Sequence, residues 1–570
     1  MPPPTTTPPS LGTLPSEVLW LVFVHLDDAE LLSGVARACH QLHVAATTAA
    51  VWRPRVLRRW LNWAPPTHPR PPLNDDDWLG VYAGRARQDI EMLEVLARYA
   101  SRTVDYDTAF DEIVAYDMLA LDVLDKVLLA ARGCDGEQED YEEDTGMQHL
   151  QVVFFANDVS GYIRRKHAVR TWLEALEYPV STLAQVPGET LDEVFCSVAC
   201  FAGTSPGRLF HFMDTAAATV ARSSGASTPR GAVLALLRVL SHEHILLLDE
   251  TPSHCETDDF ERRFWPVAGL FLGIARRLRL ECRYISANIV TVKMLDGGWL
   301  CVHLPLGITH RYAHHIDAGS PNMPTDLESH SVSLCDVINH LYMVMLNLRF
   351  TPTSRRGSQR HTQYNATKRY VSVTFRSVKF RQPFSDAGVS TNEELLWHTL
   401  YAIRRGGSRR ELDIYCSDWF IRLIAPPYNP TIAAHIRLMR HDVEKMVAKD
   451  ENPLCCEYAH QPRPFVEFYP GELVNYSRYS QPGVVVSSYP PDPRLDARTL
   501  FYLVVLETGE RVCAADGSLE KLTGSEALLA LTKFGSVHAR AELGRYFSSF
   551  DHDNRRFILL QQRGDIARGE

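Results

Sequence analysis

Six side chains of the kinds that bind metal ions lie close together in the sequence. They are Cys301, His303, His310, His314, His315 and Asp317. Thiolate, imidazole and carboxylate groups are the usual zinc ligands, but zinc sites also follow characteristic spacings. This cluster matches none of those spacings, and the HEH sequence at 242–244 is wrongly spaced for two zinc ligands on one helix. We therefore predict no metal site and no cofactor.

The twelve cysteines are the other candidates for chemistry. They are scattered along the chain, without any C-x-x-C pair, and Cys39, Cys196 and Cys200 fall inside helical patterns. This arrangement favours neither a disulfide scaffold nor a zinc ribbon. We predict that the cysteines are reduced and mostly buried.

Composition limits the possible protein classes. The 570 residues exceed what one core needs, and 45% hydrophobic with 22% charged residues is typical of globular domains. A net charge of −10 argues against nucleic-acid binding by the whole chain. No apolar run approaches the length of a membrane span, and the first residues lack the features of a secretory signal. We expect a cytoplasmic or nuclear protein without a membrane contact.

Two short amphipathic helices are predicted from Leu14 onward. The first has one broad apolar face, and Asp27 and Asp28 can cap the second. The apolar positions are Val18, Leu19, Val22, Phe23 and Leu26 in the first helix and Leu31, Leu32, Val35 and Cys39 in the second. Two helices of this size cannot bury so much apolar surface alone, so the pattern indicates a partner.

Helical patterns continue in the next part of the chain. Ile90, Leu93 and Leu96 form one predicted core stripe, and Leu121, Leu124 and Leu128 form another. The acidic run at 135–146 is interpreted as a solvated loop. Between about 150 and 310, helices alternate with strand-like segments such as YISANIVTVKM and WLCVHLPL, which predicts an α+β domain. The basic segment 354–384 is either a surface loop or a patch for an anionic partner.

A small β module follows near the end of the chain. Its segment FYLVVLETGERVCAADGSLEKL predicts adjacent strands at 501–506 and 511–515, with Thr508 and Gly509 in the turn. The predicted fold is thus multidomain and mainly α, with an α+β middle and a small C-terminal β-barrel. The expected boundaries are a tail at 1–13 and segments at 14–60, 61–149, 150–349, 350–460, 461–525 and 526–570.

The N-terminal helices resemble an F-box. The match is carried by Leu14, Pro15, Glu17, Val18, Leu19, Phe23, Leu26, Leu31, Leu32, Val35, Cys39 and Trp52. The resemblance implies binding to the Skp adaptor of a cullin-based ubiquitin ligase. It assigns that contact to Leu14, Pro15, Val18, Leu19, Phe23, Leu26, Leu31, Leu32, Val35 and Trp52.

The C-terminal module resembles the YccV-like or HspQ-like family, which includes hemimethylated-DNA-binding proteins. The match runs from Gly471 to Leu519, with Asn475 and Tyr489 where the family has His and Trp. Together the two ends resemble F-box proteins that have a SirB-type transglutaminase-like middle. The bacterial relatives are also regarded as adaptors that deliver clients to a protease, which implies a client-binding barrel, and we assign that contact to Tyr476, Tyr479, Tyr489 and Tyr502.

The transglutaminase-like resemblance in the middle rests on FWPVAGLFLGIARRLRLECRYI. A site of that type needs a thiolate at a helix N-terminus, with a His and an Asp. The helix expected from Pro266 to Leu280 contains no cysteine, and the following strand has no His. We therefore predict no catalytic residue, and burial of Leu270, Ile274 and Leu278 in a scaffold.

Three functions follow from these patterns. The first is a receptor that binds Skp and cullin through the F-box and a client protein through the remaining domains. The second is a DNA-binding protein acting through the barrel, but six basic and eight acidic residues between Arg463 and Lys521 disfavour phosphate binding. The third, an amidase-like or protease-like enzyme, lacks a nucleophile. The client is not encoded in any motif.

Overall fold

The computed structural model describes residues 14–23, 25–62, 77–132, 149–176, 188–201, 206–223, 227–242, 267–286, 289–295, 299–303, 316–317, 467–478, 480–489, 500–509, 511–552 and 554–560. The chain divides into two compact units, residues 1–126 and 127–570. Several predicted features lie outside the described residues: the tail 1–13, the acidic run 135–146, the basic segment 354–384, His310, His314, His315 and Tyr479.

Short helices open the first unit. They are α1 (Ser16–Phe23), a π-helical turn (Glu30–Val35), α2 (Ala36–Ala38), α3 (His40–Ala46) and α4 (Ala49–Arg59). Asp27 caps the helical segment that begins at Asp28 and leads into the π-helical turn, as predicted. Its Oδ1 accepts the N–H of Glu30 at 2.6 Å, and Glu30 Oε2 accepts the N–H of Asp27 at 3.1 Å. The second predicted helix is broken at Cys39, whose backbone is extended.

Longer helices complete this unit. They are α5 (Trp78–Ala100), α6 (Tyr106–Val114) and α7 (Ala120–Arg132), which continues into the second unit. Trp78 and Tyr82 of α5 belong to the same core as α1 to α4. The predicted core stripe on α5 is wrong for two of its three members, because Ile90 is 56% and Leu93 49% exposed, whereas Leu96 is buried. Periodicity grouped the three residues on one stripe, but the edge of the core falls between Leu96 and the other two.

The second unit begins with a helical layer. Its helices are α8 (Leu150–Leu176), α9 (Gly188–Phe201), α10 (Pro206–Arg222), α11 (Pro229–His242) and α12 (Val267–Arg277). Helix α12 crosses α9 closely at Gly269, where an added Cβ would lie 2.5 Å from the Phe195 side chain. The predicted burial of Leu270 and Ile274 is confirmed, and Leu278, just beyond α12, is half-buried.

An antiparallel sheet follows α12. Its strands pair in the order β1 (Cys282–Ser286), β2 (Ile289–Lys293), β3 (Trp299–His303) and β4 (Ile316–Asp317). The segment YISANIVTVKM is therefore divided between two paired strands, β1 and β2, instead of forming one. Helices followed by an antiparallel sheet agree with the predicted α+β character.

A five-stranded antiparallel sheet forms the C-terminal module. Its strands are β5 (Leu473–Tyr476), β6 (Gln481–Tyr489), β7 (Phe501–Leu506), β8 (Arg511–Ala515) and β9 (Leu519–Lys521), in the order β8-β7-β6-β5-β9. The predicted β7-β8 hairpin is confirmed, with Gly509 in the turn at φ +77°. The predicted closed barrel is not confirmed, because no pairing joins β8 to β9 among the described residues.

Both faces of this sheet are covered. One face packs with Phe468 in a core of its own, to which Leu519 of β9, paired beside β5, also contributes. The other face packs against α13 (Gly524–Thr532), α14 (Val537–Gly544) and the hairpin of β10 (Phe547–Asp551) and β11 (Arg556–Leu559). Gly471 joins the hairpin to the sheet: its N–H bonds Val485 O at 2.8 Å, and its carbonyl accepts the N–H of Phe557 at 2.9 Å.

Candidate functional site

Helix α1 presents apolar side chains to solvent. Val18 and Val22 are each 40% exposed, Leu21 is 70% exposed, and Pro15 before the helix is also exposed. These four residues define the α1 face. An exposed apolar group of this kind on a short helix is typical of a protein-binding surface.

Six of the ten predicted adaptor-contact residues were expected to lack a partner within the chain, and this is wrong for all of them except Pro15: they are Leu14, Pro15, Leu19, Phe23, Leu31 and Leu32. Leu19, Phe23, Leu31 and Trp52 are buried in the core of the first unit, to which α4 and α5 both contribute. The half-buried residues Leu14, Leu26, Leu32 and Val35 pack at the margin of that core. Only Pro15 and Val18 of the ten are exposed.

Leu21 is the residue that sequence reasoning missed. It does not belong to the broad apolar face predicted for α1, and the buried residues Leu19 and Phe23 lie on either side of it in the sequence. The sequence did contain a signal for it: Leu21 is a large apolar residue that lies off the predicted apolar face of the helix. The α1 face is thus composed of residues that the core does not use.

Arg55 of α4 fixes the C-terminal end of α1. Its Nη2 donates to the carbonyl oxygens of Phe23 and Leu26, both at 2.7 Å, and its Nη1 pairs with Asp28. Carbonyl groups at the end of a helix have no partner within the helix, so a guanidinium there satisfies them and complements the helix dipole. The position of the α1 face therefore depends on α4.

Tyr82 of α5 extends this support beyond the short helices. Its hydroxyl donates to Asp28 and accepts from Arg59 Nη1 at 2.7 Å. Its ring contacts Trp52 and Trp60 edge-on, with centroids 4.7 and 5.2 Å away. Burial, together with the hydrogen bond to Asp28, raises the pKa of Tyr82 to about 12. The hydroxyl therefore stays protonated and can donate at neutral pH.

A buried ion pair holds the segment after α4. Asp122 of α7 accepts the N–H of Leu61 at 3.0 Å, Nδ2 of Asn62 at 2.9 Å and Nη2 of Arg85 at 2.8 Å. Burial raises the pKa of Asp122 to about 6, while Arg85 and the amide donors act in the opposite direction. Loss of any one of these donors would leave part of the buried charge uncompensated and would destabilise the fold. This arrangement fastens residues 61–62 to α5 and α7.

The four tyrosines predicted to bind a client have different positions. Tyr476 and Tyr502 are buried in the core on one face of the C-terminal sheet, which corrects their predicted role as surface contacts. A small sheet needs large side chains to fill its core, and Tyr502 also accepts the N–H of Glu467 at 3.2 Å. Tyr489 ends β6 opposite Phe501.

Three cysteines of the middle region have raised pKa values. Helix α12 begins at Val267 without a cysteine. Burial raises the pKa of Cys196 and Cys200 on α9, and it raises that of Cys282 on β1 to about 12. A nucleophilic cysteine needs a lowered pKa. These three cysteines are therefore thiols at neutral pH.

Charged residues near α12 hold helices together. Arg277 donates from Nη1 to Asp192 of α9 at 3.0 Å and from Nε to Asp214 of α10 at 2.5 Å. Arg276 also pairs with Asp192. The groups form an ionic network between α9, α10 and α12.

The described part of the histidine-rich segment contains three of its six members. Cys301 on β3 lies opposite Asp317 on β4, and His303 ends β3 opposite Ile289. Within the described ranges, no three His, Cys, Asp or Glu residues come together as metal ligands. The other three histidines of the cluster lie outside those ranges.

Comparisons with known proteins identify one region. A family model described as F-box-like matches residues 11–58. Neither the curated proteins nor the solved structures give a match, and the transglutaminase-like and YccV-like resemblances find no support there. In the described part of the chain, no helix has both the length and the apolar character needed to cross a membrane. The chain therefore carries an F-box-like domain at its N-terminal end.

Proposed function

We propose that this protein is a substrate receptor of a Skp-cullin-F-box ubiquitin ligase. The F-box-like match at residues 11–58 carries the proposal, since F-box domains typically bind Skp adaptors. In this function the F-box docks on Skp and cullin, and the second unit binds a client protein that is then ubiquitinated and degraded. No chemical step by this chain is required.

The α1 face supplies the contact that the proposal needs. Pro15, Val18, Leu21 and Val22 are accessible, whereas their neighbours Leu19 and Phe23 stabilise the fold. Complete burial of a Leu or Val side chain contributes roughly 1.5–3 kcal/mol, so the few exposed side chains here are enough to dominate a binding interface. Leu19, Phe23, Leu31 and Trp52 then support the interface from beneath.

Capture of a purified Skp adaptor tests the proposal. The full chain with Val18→Asp and Leu21→Asp should lose capture, because two carboxylates would be buried without partners in the interface. Leu529→Asp is the matched control, since Leu529 of α13 is 65% exposed but lies outside the F-box-like match. Retention of wild-type capture by the double variant would contradict the proposal. Leu14→Ala with Pro15→Ala is expected to weaken capture as well.

The finer assignments for the second unit form part of the same proposal. We assign residues 150–349 to a transglutaminase-like scaffold without catalytic activity, and residues 461–525 to a YccV-like module that binds protein. The raised pKa values of Cys196, Cys200 and Cys282 support the absence of catalysis. Incubation with an amine donor and a glutamine-containing peptide should give no cross-linked product.

DNA binding by the C-terminal module is the alternative. Titration of the full chain with duplex DNA over a series of salt concentrations separates the two functions, because phosphate contacts release counterions and make affinity fall steeply with salt. Tight binding with that salt dependence would favour DNA. Weak binding at all salt concentrations would agree with a protein ligand.

A further inference from the structure

The five-stranded sheet has two edges of different character. The β9 edge is three residues long and carries Glu520 and Lys521, and Lys521 Nζ forms a 2.6 Å ion pair with Glu472. The β8 edge is five residues long, and its only charged residue, Arg511, pairs with Glu542 at 3.2 Å. Short length and charge protect an edge from pairing with another strand. The β9 edge has both protections, whereas β8 from Val512 to Ala515 has neither.

The register of β7 and β8 shows which backbone groups point away from the sheet. Asp516 donates its N–H to the carbonyl of Leu500 at 3.0 Å, so these two residues form a hydrogen-bonded pair. Hydrogen-bonded and non-hydrogen-bonded pairs alternate in an antiparallel ladder. Leu503 and Cys513 are therefore a non-hydrogen-bonded pair, as are Phe501 and Ala515. The N–H groups of Cys513 and Ala515 thus point outward from the β8 edge.

These outward groups are largely unpaired in the described part of the chain. The carbonyl of Ala515 accepts the hydroxyl of Ser518 at 2.6 Å. Among the described residues, no partner is recorded for the N–H groups of Cys513 and Ala515 or for the carbonyl of Cys513. Two donors and one acceptor along one strand match the backbone of another extended chain.

An apolar surface lies beside these groups. The pairing of Leu503 with Cys513 and of Phe501 with Ala515 places the four side chains on the same face of the sheet. Phe501, Leu503 and Ala515 are half-buried, and Cys513 is exposed. A strand added to β8 would lay alternate side chains next to this surface. Small apolar or β-branched side chains fit it, and a charged side chain would find no counter-ion among the four.

We propose that the β8 edge binds an extended, uncharged segment of a client protein, which adds to the sheet as a sixth strand. Backbone hydrogen bonds to Cys513 and Ala515 would hold the segment, and alternate apolar residues would set its register. This inference rests on the proposed receptor function, because it names the surface by which a client is recognised.

A designed peptide tests the edge directly. The probe has valine at three alternate positions, threonine between them and two lysines at each end for solubility. Its matched control carries N-methyl groups on every amide between the terminal lysines, which removes the backbone donors of both strand edges without changing the side chains. The unmodified peptide should bind the full chain and slow hydrogen exchange at the amides of Cys513 and Ala515. The methylated peptide should do neither.

Proline substitutions separate the two edges. Cys513→Pro removes an outward N–H without breaking a bond to β7, and it should weaken peptide binding about tenfold through the lost hydrogen bond and the altered edge. Lys521→Pro is the matched control: Lys521 pairs with Val474 in a non-hydrogen-bonded position, so its N–H also points outward, but from β9. Lys521→Pro and Cys513→Val, which keeps the N–H, should both retain binding.

The outcomes distinguish this inference from the proposed function. Skp capture by the F-box should be equal in all three variants. If the wild-type chain captures Skp but the peptide fails to bind, or Cys513→Pro binds it normally, the edge assignment is wrong while the receptor function stands. Peptide binding without Skp capture would contradict the receptor function alone. Sedimentation showing a dimer that Cys513→Pro dissociates would overturn the client assignment in favour of a second copy of this chain.

Discussion

The F-box-like helices expose side chains, whereas the β8 edge exposes backbone groups. In α1 the carbonyl groups at the C-terminal end bond to Arg55, and Pro15, Val18, Leu21 and Val22 are exposed apolar side chains. At β8, the N–H of Cys513 points outward from the sheet whatever the side chain is, and no partner for it lies among the described residues. A surface made of side chains leaves a pattern that a family model can detect. A surface made of backbone groups depends on register and becomes visible only in the folded chain.

Truncation of Trp52, which separates core from surface in the F-box-like helices, should cause the largest loss of stability. Trp52 is fully buried, and its Nε1 donates to Ala46 O at 2.7 Å. We expect Trp52→Ala to lower the free energy of local unfolding of α4 by about 3–5 kcal/mol. Native-state hydrogen exchange measures this free energy at individual amides of α4 in the full chain. Leu21→Ala is the control and should change this value by less than about 0.5 kcal/mol. Equal losses would contradict the division between core and surface.

The pH dependence of Asp122→Asn tests the support of residues 61–62. The pKa of Asp122 is raised by burial from 3.8 to about 6, so the folded state binds the proton more tightly than the unfolded state. The free energy of unfolding of the wild type should therefore rise relative to the variant as the pH falls from 7 to 4, by on the order of 2–3 kcal/mol.

Hydrogen exchange at α5, corrected for the intrinsic rate at each pH, measures the difference. Glu112→Gln is the control, because the pair of Glu112 with Arg98 lies at the surface. The control should show no comparable trend. A wild-type advantage that shrinks toward pH 4 would show that Asp122 is ionised more easily in the fold than its burial indicates.

Gly471→Ala tests the attachment of the β10-β11 hairpin to the C-terminal sheet. Gly471 has φ +89°, and an added Cβ would lie 2.2 Å from the carbonyl oxygen of Phe557. We expect a loss of about 1–3 kcal/mol from the strained backbone, seen as faster exchange at the amide of Phe557. Gly517→Ala is the control, since an added Cβ there meets nothing within 4 Å. Similar exchange in both variants would refute the close approach.

Tyr82→Phe should have the smallest effect. Loss of the hydroxyl removes one hydrogen bond to Asp28 and one from Arg59, which should cost about 1–2 kcal/mol. The change should appear as faster exchange at the amide of Leu26, near the end of α1. Tyr116→Phe, which loses an exposed hydrogen bond to Glu91, is the control. An unchanged Leu26 amide would show that Arg55 alone fixes α1.

Local patterns predicted several elements correctly. The Asp27 cap, the helix near residue 266 and the β7-β8 hairpin follow from residues within one turn or one strand of each other. Such features depend on capping, periodicity and turn chemistry, which are encoded locally. The F-box-like match lies in the same category, because its helices are contiguous in the sequence.

Burial was predicted correctly for Leu270 and Ile274 but not for every apolar position. Periodicity showed that Ile90 and Leu96 are apolar positions of one helix, but only the packing of neighbouring helices decides that Leu96 is buried and Ile90 exposed. Tyr502 carries a polar hydroxyl and could equally have been a surface residue; the size of the sheet makes it part of the core. The β8 edge required the pairing of all five strands to be known.

Contact between α14 and α8 has a consequence for synthesis of the chain. An added Cβ at Gly544 would lie 1.9 Å from the carbonyl oxygen of Leu150, and Arg540 donates to the carbonyl of Ala131. Helix α8 emerges from the ribosome long before α14 does. At roughly 5–20 residues per second, the N-terminal end of α8 waits tens of seconds for its partner with Leu150 uncovered. Chaperones that recognise apolar segments therefore have time to bind the nascent chain there.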